Sequence, residues 1–140
     1  MRSVEIVSLL SGIVVFGFCL FLIGLAVVIA TTPSLAERFL RSFASSAPAH
    51  YTEQRLRLLV GVAIVNFASS MWYPVLFNFK LFGWLILAST VGLLLTPWQW
   101  HHKFGARVMP LVIRHMKLFA LGASALGAFI LYGVSRAVIS

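Results

Sequence analysis

An uncharged, strongly apolar stretch runs from Ile6 to Ala30, long enough as a helix to cross about 30 Å of hydrocarbon. A second apolar stretch, Leu58 to Leu95, is broken by one charge, Lys80. It is too long for one helix and suits two joined by a tight hairpin. Trp72, Tyr73 and Pro74, followed by Asn78 and Lys80, mark the break, because amphipathic aromatics and a snorkelling cation favour a membrane interface. A further apolar run lies between Lys117 and Arg136. The pattern predicts an all-α integral membrane protein of one domain, residues 1–140. Its four transmembrane helices fall at about 6–30, 58–72, 81–95 and 118–134, with interfacial connections over 31–57 and 97–117.

The connections are patterned differently. Leu35, Ala36, Phe39, Leu40 and Phe43 recur with the helical period while Glu37, Arg38 and Arg41 fall elsewhere, which predicts an amphipathic helix lying on the headgroups. Ser34 with Glu37 offers a capping box. Thr31-Thr32-Pro33 and Thr96-Pro97 follow the first and third spans. Each reads as a helix start, with threonine as cap and proline at the first helical position. The repetition suggests two duplicated helical hairpins related by an axis along the membrane normal. Arg2 before the first run and Ser34-Leu35-Ala36 after it mimic a signal peptide, but the apolar core far exceeds the roughly 7–15 residues of a signal core. A retained transmembrane helix is expected.

Composition agrees with this layout. The chain is 61% hydrophobic and 10% charged, with a mean hydropathy of +1.00, against roughly 45–50% apolar and about 25% charged in soluble domains. Its net charge of +8 would suggest nucleic acid in a soluble protein. Here the cations flank hydrophobic spans, so anionic lipid headgroups are the expected counterions and no nucleic-acid partner is expected. Arg38, Arg41, Arg55 and Arg57 sit in the first connection, and Lys103, Arg107, Arg114 and Lys117 in the second. Arg2, Lys80 and Arg136 fall on the other side. The bias places both connections in the cytoplasm and both termini outside, as in a bacterial inner membrane. Trp98 and Trp100 close the third span as an interfacial belt.

Candidate chemistry is sparse. The acidic residues are Glu5, Glu37 and Glu53, and none lies within an apolar run. Without a titratable group at membrane depth, proton-coupled transport is not expected. Cys19 is the single cysteine and cannot form an intrachain disulfide. Asn66 is the most polar residue deep in a span and could cross-link helices or touch a ligand. Ala120, Ser124 and Ala128 are spaced by four, as are Ala123 and Gly127. Such small-residue faces let helices approach closely, within one bundle or between copies. Ala88 with Gly92 and Gly61 with Ala68 offer further small positions.

His50, His101, His102 and His115 all map to the cytoplasmic side and pose the question of haem or metal ligation. Their spacing is unhelpful. His101 and His102 are adjacent and point about 100° apart on a helix, and His115 lies roughly 21 Å from His101 along a continuous one. Pro110 is expected to break or kink that helix. A site would need tertiary convergence, for instance of His50 on one of the pair. No cofactor and no metal is the leading expectation, with b-type haem as the alternative. No nucleophile elbow, HExxH, phosphate-binding glycine loop or carboxylate pair is found, so an enzyme is not expected. The leading functional expectation is an accessory or scaffolding subunit of a larger membrane complex, or a homo-oligomer. It would be partnered by membrane lipids and by other subunits or itself. The alternatives are a haem-bearing redox anchor, or a carrier or channel for a lipid or small neutral solute with a cavity near Asn66.

Overall fold

A computed structural model describes residues 2–42, 45–69 and 74–139. Those residues form helices α1 (Arg2–Thr31), α2 (Pro33–Ser42), α3 (Ala47–Ser69), α4 (Pro74–Leu95), α5 (Trp98–Arg114) and α6 (Met116–Ile139), with no strand among them. Among the described residues, three helices are long and apolar enough to cross a membrane: α1, the Phe77–Leu95 part of α4, and the Met116–Arg136 part of α6. The part of the expected 58–72 span that is described, 58–69, forms the second half of α3, which begins at Ala47. Glu53, Arg55 and Arg57 occupy its first half. The uncharged part of α3 starts at Leu58, and the helix is described as far as Ser69.

Several local expectations are corrected. Asn78 and Lys80 lie inside α4, which starts at Pro74, where a missing N–H goes unnoticed. Trp72 and Tyr73, the rest of the expected break, lie outside the described residues. Pro110 does not end α5. It is exposed on the surface of the bundle, so solvent or headgroups can satisfy the carbonyl that loses its donor. Thr96 does not cap α5, whose N-cap is Pro97 without a side-chain bond. The Thr96 hydroxyl turns back to the Gly92 carbonyl at 2.8 Å. Ser34 lies within α2 rather than before it, so no capping box forms there. Glu37 instead pairs with Arg41 at 3.0 Å.

The long helices close a ring. α1 packs on α6 and α3, α3 packs on α4, and α4 meets α6. The main core joins Val15, Cys19 and Leu22 of α1 to Ile64 and Phe67 of α3, Phe79 of α4 and Ile130 of α6. The α3–α4 approach is set by glycines. A Cβ at Gly83 would stand 2.8 Å from Val65 Cγ2, 2.9 Å from Ile64 Cγ2 and 3.2 Å from the Val65 backbone nitrogen. Gly61 on α3 is equally tight against Leu87. At one end, α2 and α5 gather around the end of α1 and the start of α6, with Ile29, Ala36, Leu40 and Met116 buried among Met109, Val112 and Ile113. Of the apolar face expected on α2, Ala36 and Leu40 are buried. Leu35 and Phe39 are exposed, and Phe43 lies outside the described residues.

Candidate ligand-binding site

The first turns of α3 carry His50, Glu53, Gln54 and Arg57 at i, i+3, i+4 and i+7, a spacing that puts them on one side of the helix. The same stripe continues through Gly61, Ile64 and Ala68 into the core, and so turns polar side chains inward. His50 is 0% and Gln54 1% exposed. Arg57 Nη2 donates to Ser89 Oγ on α4 at 2.7 Å, and that hydroxyl donates to the Ile86 carbonyl at 2.9 Å. Arg57 Nη1 lies 3.9 Å from Glu53 Oε1, too far for a hydrogen bond. From α5, His101 brings its Nδ1 to within 2.8 Å of His50 Nδ1. One of these nitrogens must carry the proton and donate it to the other.

These groups are incompletely satisfied. His50 Nε2, Glu53 Oε2, both amide atoms of Gln54 and Arg57 Nε are buried with no partner in the protein. Leaving one such atom unpaired costs about 1–3 kcal/mol, more for charged groups. Five in two turns of one helix single this region out. Burial pushes the His101 pKa down, the nearby Glu53 carboxylate opposes that shift, and His50 and Arg57 reinforce it.

Glu53 and Arg57 also border a half-open cavity of about 890 Å³ lined by α1, α2, α3, α4 and α6. Its remaining walls are apolar, including Phe18, Leu22 and Leu25 of α1, Phe82 of α4, and Leu118 and Ala123 of α6. Small-molecule sites span about 300–1,000 Å³ and combine apolar walls with a few placed polar groups. The space thus has a charged end and an apolar body.

The other candidates fall elsewhere. His102 is exposed, its ring 6.1 Å from that of Trp98. His115 is exposed at the end of α5, with Nδ1 3.0 Å from the Leu111 carbonyl. Arg38, Arg41, Arg55, Trp100, Lys103, Arg107, Arg114 and Lys117 are surface residues at the α2–α5 end, and Trp98 is half-buried there. Asn66 lies on the outer side of α3 and does not border the cavity. On α6, Ala123 and Gly127 turn toward α1, where Cys19 Sγ donates to the Gly127 carbonyl at 3.0 Å. Ala120 packs against the cluster at the α2–α5 end, while Ser124 and Ala128 face outward.

The Nδ1 atoms of His50 and His101 are hydrogen-bonded to each other and not spaced as two ligands of one iron. An iron between two imidazoles needs its nitrogens about 4 Å apart, at roughly 2 Å per bond, and these stand at 2.8 Å. Among the described residues, no group of three or more His, Cys, Asp or Glu side chains could hold a metal ion. Composition points to the histidines and passes over Glu53 and Gln54, although the 50, 54, 57, 61, 64, 68 spacing marks the side of α3 that turns inward. No protein-family model, curated protein or solved structure matches this chain.

Proposed function

We propose that this is a non-catalytic polytopic membrane protein that holds an amphiphilic, lipid-like guest between its helices. The cavity carries the reading: about 890 Å³ of apolar-walled space with Glu53 and Arg57 at one end matches a molecule with a polar head and a hydrocarbon tail. On this reading α3 is a fourth span lying beside α4. The cations of the two connections favour a cytoplasmic position for the α2–α5 end, with both termini on the far side, as in a bacterial inner membrane. Each half of the chain has the order long, short, long, and exchanging the halves turns the α1–α6 pair into α4–α3. Those are the two most extensive helix pairs, which supports duplication, although the α1–α3 interface is far larger than the α4–α6 one.

Photolabelling tests the proposal. An amphiphile with a diazirine at the end of its chain is expected to label Leu22 and Ala123, which line the cavity and are 9% exposed. Labelling confined to outward residues such as Leu85 and Leu121 overturns it. The accessory-subunit reading keeps one observation of its own, the outward Ser124 and Ala128 of α6, which leave room for a helix from another subunit or copy. A monomer that brings down no other subunit on gentle extraction contradicts that second reading.

A further inference from the structure

The cavity's charged end is specific about sign. Glu53 and Arg57 approach no closer than 3.9 Å, and each keeps one buried atom without a partner, Oε2 and Nε respectively. Both side chains are only half-buried, so their remaining hydrogen-bonding capacity is open to a charged partner. Both residues border the same apolar-walled space, so one guest can meet both side chains.

A purely anionic head would satisfy the guanidinium and lie against the carboxylate. A purely cationic head would do the reverse. Like-charge approach to one of the two side chains selects against both. A head with a phosphate next to an ammonium gives each side chain its counter-charge. Phosphate oxygens accept from the Arg57 guanidinium, which suits planar phosphate recognition, and the ammonium donates to Glu53. The apolar walls from α1, α4 and α6 then receive the tail. We propose that the guest is an amphiphile with a zwitterionic phosphate–ammonium headgroup, taken from the surrounding lipid. This rests on the cavity being an amphiphile site.

The test is a competition. Protein in mild detergent is given equal amounts of two single-chain phospholipids with the same acyl chain, one with a phosphoethanolamine head and one with a phosphoglycerol head. Native mass spectrometry reads which is retained. The expected result is about a tenfold preference for the zwitterionic lipid, the size of one additional charge-assisted hydrogen bond. Glu53→Gln is expected to abolish the preference, and Arg57→Gln to lower retention of both lipids. If either variant fails to fold, the wild-type competition alone decides. Equal retention of both heads overturns the headgroup inference and leaves the cavity reading standing. Retention of neither overturns both.

Discussion

The α1–α6 interface and the first turns of α3 treat polar groups in opposite ways. In the former, the one buried thiol donates to a backbone carbonyl across the helix pair, and the surrounding packing is apolar. In the latter, five polar atoms are buried without partners, two of them on residues that border an apolar cavity. A region built only for packing gains nothing from Gln54 or Glu53. Apolar residues of similar volume in place of buried charges are often neutral or stabilising. On the proposed reading, the contrast separates a part that holds the bundle together from one whose Glu53 and Arg57 meet a guest.

The largest effect is expected where packing alone is at stake. Gly83→Leu forces a side chain against Ile64 and Val65 and is expected to cost about 3 kcal/mol, the upper end of typical overpacking, read as a lower thermal midpoint in detergent. The polar region should respond in the other direction. Gln54→Leu removes two unpaired amide atoms and is expected to stabilise the lipid-free protein by about 1 kcal/mol. A loss of that size would show that Gln54 is satisfied and the contrast is false.

The His50–His101 pair adds a smaller, pH-dependent effect. Burial lowers the His101 pKa in the fold, so the unfolded chain binds a proton first as pH falls. Stability is therefore constant at alkaline pH. It declines as pH drops through the ordinary histidine range toward the lowered folded value. His101→Gln should flatten that decline, seen by comparing thermal midpoints at pH 8 and pH 5.5. The smallest effect is expected at the exposed Glu37–Arg41 pair on α2. Arg41→Ala should change stability by less than about 0.5 kcal/mol, within the scatter of a midpoint measurement.

Uninterrupted apolar runs make α1 and α6 legible from sequence, because a bilayer leaves a chain little choice but helix. The start of α3 is not legible in the same way. His50 to Arg57 carry too much polarity for a span, and such polarity reads as connection. In the structure the helix runs through them, since their spacing points the polar groups inward together. Gly83 is equally silent in the sequence. It has no small partner four residues away, and its role comes from the neighbouring Ile64 and Val65 of α3, which sequence spacing does not display. The convergence of His50 on one of the adjacent histidines is conceivable from the sequence, but the choice of His101 over His102 follows from how α5 is rotated against α3.

Gly122 offers the most direct test of an amphiphile in the bundle. It borders the cavity, and a Cβ built there meets nothing within 4 Å, so Gly122→Phe should intrude on the space without straining the helices. Native mass spectrometry of protein extracted into native lipid particles and moved to mild detergent measures the amphiphile retained per chain. Wild-type protein is expected to keep about one, and Gly122→Phe at least tenfold less with an unchanged thermal midpoint. Equal retention by the two proteins would contradict the account.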